Sequence, residues 1–202
     1  MNLSLGEFQA IAAKALRGAG YSWGMAAEGA AASRTLASLG LDPSPYLLRL
    51  LNAVDQVGVD SLFPDASWTS PSGRLCAICV GAALSDAPPT TPTEIGAVIE
   101  PTLVVASLSG LAAAGSGFEI SWDGGSTLVD CSGAADWQLP ASATITVSPA
   151  SVAPAPPSDR FTRLEISESA LDELNRFAHR TYAPSTEASR AAGAGAGLND
   201  ND

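Results

Sequence analysis

Lysine, histidine and cysteine are scarce in this chain. Its 202 residues include one lysine, Lys14, one histidine, His179, and three cysteines, Cys76, Cys79 and Cys131. Charged residues make up 15% and the formal net charge is −11, so cations are few and unclustered. Phosphate backbones are bound by grouped Lys and Arg, so nucleic acid is not an expected partner. An anionic membrane surface is disfavoured for the same reason. A bilayer span needs about 20 predominantly apolar residues. The most apolar run, residues 99–118, is interrupted by Glu100, Pro101 and several Ser and Gly. The opening MNLSLGEFQ lacks a basic stretch followed by an apolar one, so a secretory signal is not expected and the expected compartment is the cytoplasm. An odd number of cysteines then suggests free thiols. No metal site and no cofactor are expected.

Apolar residues are plentiful at 46%. That is enough buried area to offset the entropy of ordering a chain of this length. Nine of the ten basic residues are Arg and alanine abounds, which reads as the bias of a GC-rich bacterial genome.

The first 60 residues read as helical. Ser4 and Glu7 stand at capping-box spacing. Leu5, Phe8, Ile11, Ala12, Ala15 and Leu16 then share one face, with Glu7, Lys14 and Arg17 opposite. Gly18 and Gly20 stop this helix. A second helix is expected over 22–39. Its stripe Met25, Gly29, Ala32, Leu36 and Leu39 is small enough at Gly29 and Ala32 to admit another helix closely. Ser44 is expected to cap a third, with Pro45 at its first position.

From residue 74 to 148 the pattern shifts to short segments rich in Val, Ile, Thr and aromatics, read as mostly antiparallel strands. FEISW-DGG-STLVDC is the strongest hairpin signal. RLCAICVGAAL and GAVIEPTLVVASL are read as strands too, with Pro101 marking an edge or a break. A Pro-rich spacer covers 149–159 and a strand is expected over 161–166. A helix follows over 167–180, with Leu171, Leu174, Phe177 and Ala178 inward, and then a Gly-rich terminal segment, 181–202. Segregated helices and strands of this kind predict an α+β fold in a single domain.

Cys76-Ala-Ile-Cys79 matches CxxC. A redox pair needs its first Cys at a helix N-terminus. On a strand, residues three apart face opposite ways, so a structural role is expected for both. GAGAG (193–197) and the Gly-rich 18–24 stretch lack the strand–turn–helix context of a phosphate loop. His179 lies near a helix C-terminus, where a cation offsets the dipole. As an acid/base it would need Glu28 or Glu187 as partner. Tyr21 and Trp23 form an aromatic pair in a Gly-flanked turn at a helix start, read either as a staple on Ala26 or as a ligand wall. Glu28 is expected at the edge of the apolar stripe, partly desolvated or paired. In the terminal segment, Arg180, Tyr182, Glu187 and Arg190 mix recognition residues with turn residues, and arginines suit carboxylates.

RGAGYSWGMAAEGA (17–30), GAALSDAP (81–88) and HRTYAPSTEASR with GAGAGLNDND (179–202) resemble a proteobacterial family of unknown function, small soluble proteins. The resemblance implies no activity. It does imply that the N-terminal turn and the C-terminal segment are used together.

The expected function is binding of a small carboxylate metabolite, or an accessory role, with Tyr21, Trp23, Arg180, Tyr182, Glu187 and Arg190 around one recess. One alternative is a metabolic enzyme using His179 as acid/base with Glu28 or Glu187. Another is a subunit or homo-oligomer role in which the Gly29/Ala32 stripe meets a second chain.

Overall fold

The computed structural model describes residues 1–112, 116–130, 137, 139–152 and 160–182. The fold is α+β. Its order is β1 (Asn2–Ser4), α1 (Leu5–Gly18), α2 (Trp23–Ser38), α3 (Ser44–Val57), β2 (Leu75–Cys76), α4 (Ala77–Asp86), β3 (Thr93–Ile99), α5 (Thr102–Ser109), β4 (Gly117–Trp122), β5 (Gly125–Val129), β6 (Ser142–Ala150), β7 (Arg163–Glu165) and α6 (Glu168–His179).

Local chemistry starts the helices. Ser4 and Glu7 form the reciprocal capping box, with the Glu7 carboxylate accepting from the Ser4 amide at 2.7 Å. That bond, before the Ser4 hydroxyl, holds the Glu7 carboxyl below its ordinary range. Ser22 caps α2 and Ser167 caps α6 through the hydroxyl alone, which accepts from the Met25 amide in one and the Ala170 amide in the other. Helix α3 departs from expectation. It begins at Ser44 with Pro43 as its cap, and the Ser44 hydroxyl donates to Asp42 at 2.7 Å.

The largest correction concerns residues 74–148. Two of the expected strands are mostly helix. RLCAICVGAAL supplies only the two-residue β2, and α4 follows at once. Pro101 is a break: it ends β3 and precedes α5. Both helices are buried on nearly every side, Ile78, Val80 and Leu84 in one, Leu103, Val104 and Leu108 in the other. A helix apolar all round shows no amphipathic period to read.

Five strands form one sheet in the order β2-β3-β6-β4-β5. Its pairs are antiparallel except β2 with β3, which is parallel. Asp123 and Gly124 turn the β4–β5 hairpin, with Gly124 at φ 99°. Alternation directs Phe118, Ile120, Ile145 and Val147 inward and leaves Glu119 exposed. A second, two-stranded sheet pairs β1 with β7 antiparallel and ties the two ends of the described chain.

One hydrophobic cluster runs from Leu5 to Phe177, and α1 packs against α2 and α6 at its centre. Phe8, Leu16, Leu36, Leu174 and Phe177 are fully buried there, each stabilising the fold by about 1.5–3 kcal/mol. Gly18 is where α1 meets α6 most closely. A Cβ at that position would stand 1.8 Å from the Phe177 carbonyl oxygen. The Gly29/Ala32 stripe is also occupied by the chain itself: a Cβ on Gly29 would meet Ile78 at 2.6 Å and Leu16 at 2.8 Å. The stripe is therefore no free surface for a second chain.

One buried charge stands out. Glu100, 2% exposed, has the uncommon backbone φ of 58° between β3 and α5. Its carboxylate takes a bidentate contact from Arg49 on α3, at 2.6 and 2.8 Å. Its amide donates to the Ala141 carbonyl at 2.8 Å.

Candidate functional site

The Gly-rich turn after α1 and the end of α6 lie side by side. Between them is a recess of about 420 Å³ lined by Lys14, Arg17, Gly18, Gly20, Trp23, Arg180 and Thr181. Gly18 permits the close approach of the helices. Gly20, at φ 104°, turns the chain into α2. Thus Trp23 and Arg180, from opposite ends of the sequence, face one space.

Three of the chain's ten cations line this recess. Arg17 donates through Nη1 to the Tyr21 carbonyl, and its guanidinium lies 4.5 Å from the centre of the Trp23 ring. Arg17 Nε is buried and has no hydrogen-bond partner among the described residues. A buried N–H left unpaired costs about 1–3 kcal/mol, so an acceptor at this position would stabilise the site. Lys14 makes no ion pair among the described residues; its ammonium lies 5.9 Å from the centre of the Tyr182 ring. Arg180 is engaged: it makes a bidentate pair with Asp55 of α3, with Nη2 to Oδ2 at 3.0 Å. That contact is the main reason the Asp55 carboxyl sits below its usual range.

The other expected residues fall in different places. Trp23 is 77% exposed, as a ligand wall requires, whereas Tyr21 is fully buried and offers no wall. The Tyr21 hydroxyl lies instead 3.2 Å from the Cys76 sulfur. Glu28 is exposed rather than desolvated, and borders a separate shallow groove with Ser85 and Asp86. His179 is exposed at the end of α6 and makes no ion pair among the described residues. Its ring meets Tyr182, centroids 5.2 Å apart, and does not line the recess. The acid/base pairing of His179 with Glu28 therefore has no geometry behind it. Tyr182 is 56% exposed beside His179. Glu187 and Arg190 lie outside the described residues, as do the Gly-rich segment and residues 153–159 of the spacer.

Two features were missed from the sequence. Lys14 and Arg17 read only as the polar face of α1, although a cation just before a Gly-rich turn with an aromatic beside it was a usable signal. The other is the context of CxxC. Cys76 is the N-cap of α4 and Cys79 stands in its first turn, both buried and both free thiols. Cys131 lies outside the described residues.

A larger groove of about 530 Å³ crosses β4 and β6 at Trp122, Asp123 and Thr146. No cation among the described residues lines it, so the recess beside Trp23 is the stronger candidate. Among the described residues no group of three or more His, Cys, Asp or Glu side chains could hold a metal ion. Nor is any helix among them long and apolar enough to cross a membrane.

Residues 3–76 match a family described as protein of unknown function (DUF3726). The chain is thus similar to a family without an assigned function, over α1 to α3 and onward to the N-cap of α4. Of the three patches that carry the resemblance drawn from the sequence, the first lies inside this match and the other two outside it. No curated protein and no solved structure matches the chain.

Proposed function

We propose that the protein binds a small carboxylate-bearing metabolite in the recess between the ends of α1 and α6. The observation that carries this reading is the buried Arg17 Nε–H without a partner among the described residues, beside Lys14, which lines the same recess and makes no ion pair among the described residues. A carboxylate would accept from Arg17 and draw in the Lys14 ammonium, and such charge-assisted bonds are the strong ones. Trp23 would cover the apolar part of the ligand, since an exposed indole is a large rigid surface. Arg180 would serve by holding α6 against α3 through Asp55 rather than by meeting the ligand. The reading places the protein in the cytoplasm, among such metabolites.

Thermal-shift screening against mono- and dicarboxylic acids tests this. A ligand at 100 times its Kd adds about 2.7 kcal/mol of stability, a rise of about 5–10 °C for a chain of this size. The rise is expected in the wild type and lost in Arg17→Gln and Lys14→Gln. No rise with any carboxylate, or an equal rise in both variants, overturns the reading.

A further inference from the structure

Tyr21 lies behind the recess, between its Arg17 and the core. Its backbone carbonyl accepts from Arg17, and its ring carries the hydroxyl to the Cys76 sulfur 3.2 Å away. Cys76 ends β2 and caps α4, a helix of ten residues. Cys79 is three residues on, in the first turn. Side chains so spaced on a helical turn stand about 5–6 Å apart at Cβ, close enough for a small adjustment to bring two sulfurs into bonding geometry. The helix N-terminus and the phenol both favour a thiolate at Cys76.

We propose that Cys76 and Cys79 form a redox-active dithiol, closed to an internal disulfide by a small peroxide, with Tyr21 as the residue that positions and activates the Cys76 sulfur. The Cys76 thiolate attacks a peroxide oxygen: an S–O bond forms, the O–O bond breaks, and the departing alkoxide or hydroxide takes up the proton that Cys76 released. Cys76 is then a sulfenic acid. The Cys79 sulfur attacks it, the S–S bond forms, the S–O bond breaks, and the hydroxide leaves as water with the Cys79 proton. Two thiols and one peroxide give one disulfide, one alcohol or water, and one water. Two electrons pass from sulfur to the peroxide.

The division of labour follows from the surroundings. Burial pushes the Cys76 thiol up, but hydrogen bonds from Cys79, from Tyr21 and from the amides of Cys79 and Ile78 outweigh it and bring the thiol below its ordinary value. Cys79 is pushed up, first by its bond to Cys76 and then by burial, with Asp60 adding repulsion. Tyr21 is pushed well above its usual value by burial and then by the two cysteines, so its hydroxyl keeps the proton that it donates. The dithiol has no exposed sulfur: Cys76 is 0% and Cys79 2% exposed. A bulky disulfide partner cannot reach it, whereas a peroxide is about the size of the water that penetrates proteins by local opening. The site is therefore fitted to sense a small oxidant rather than to exchange disulfides with proteins.

The test uses the full chain carrying Cys131→Ser, so that only this pair can react. The folded protein is treated with hydrogen peroxide, then unfolded and alkylated, and its intact mass is read. The expected product carries no alkyl group, is lighter by two hydrogens, and is restored by dithiothreitol. Cys79→Ser is expected to stop at a sulfenic acid that dimedone traps. Tyr21→Phe keeps the ring, and is expected to slow disulfide formation roughly tenfold, the loss from one charge-assisted hydrogen bond, while circular dichroism stays unchanged. The proposal is overturned if the folded protein keeps two alkylatable thiols at peroxide levels that oxidise the unfolded chain. It is equally overturned if a folded Tyr21→Phe variant oxidises at the wild-type rate.

Discussion

Replacing Gly18 by alanine should separate the two helices that form the recess. A Cβ on Gly18 would stand 1.8 Å from the Phe177 carbonyl oxygen and 2.7 Å from the carbonyl carbon. Neither atom can rotate away, because both belong to the backbone of α6. Overpacking costs about 1–3 kcal/mol, and a rigid obstacle places this substitution at the upper end. Alanine's better helix propensity returns at most about 1 kcal/mol. The net loss is about 2 kcal/mol, a fall in Tm of about 4–8 °C for a chain of this length. Gly6→Ala is the control, since a Cβ there meets nothing within 4 Å. It should be neutral or stabilise by up to about 1 kcal/mol. Thermal melts followed by circular dichroism compare the three proteins. If Gly18→Ala melts with Gly6→Ala at or above the wild type, α1 and α6 do not meet as described, and the recess between them loses its basis.

The pair between Arg49 and Glu100 leads to a second expectation. Arg49→Ala leaves a 2%-exposed carboxylate without its partner and should cost about 3 kcal/mol in urea unfolding. Arg49→Met with Glu100→Gln should recover much of that; a loss under about 0.5 kcal/mol in the single variant would show that the pair is dispensable. The Asp55–Arg180 contact predicts a pH dependence. Arg180 lowers the Asp55 carboxyl in the folded state. Its stabilisation is therefore complete above the unfolded value of about 3.9 and disappears as pH falls through the lower folded value. Asp55→Asn should be less stable than wild type near neutrality, and the gap should close in strong acid. A gap that persists there would mean the loss is not electrostatic. Trp23→Ala should change Tm by less than about 1–2 °C, because the indole is 77% exposed. Yet it should weaken carboxylate binding, and equal ligand-induced shifts in both proteins would remove Trp23 from the site.

Helix starts were legible where one side chain decides them. Ser4, Ser22 and Ser167 each cap a helix from within four residues, so nothing distant is needed to read them. The β4–β5 hairpin was legible for the same reason, through Gly124. Helices α4 and α5 were not. Neither has a side-chain cap, and both are buried on most faces, so Ile, Val and Cys suggested strands. That misreading concealed the helix-capping position of Cys76 and with it the dithiol. Of the recess, the meeting of residues near 20 with residues near 180 was legible in the turn-rich ends. The exchange of roles between neighbours was not: Tyr21 enters the core while Trp23 faces solvent, and only the position of Cys76 and Arg17 around them decides it. Strand β1 has three residues, and its partner β7 is about 160 positions away; no local pattern encodes such a pairing.

The joining of β1 to β7, and of α1 to α6, also governs when this protein can finish folding. During synthesis the first helix emerges early, with Phe8 and Leu16 needing cover. The residues that supply part of that cover, Leu174 and Phe177, are made only after the whole central sheet. Contacts so far apart in sequence form slowly and leave apolar surface waiting. The stretch that matches the family, ending at Cys76, would be left without the α6 face it needs. Chains truncated before residue 163 should thus engage chaperones, and chains that carry α6 and have left the ribosome should not.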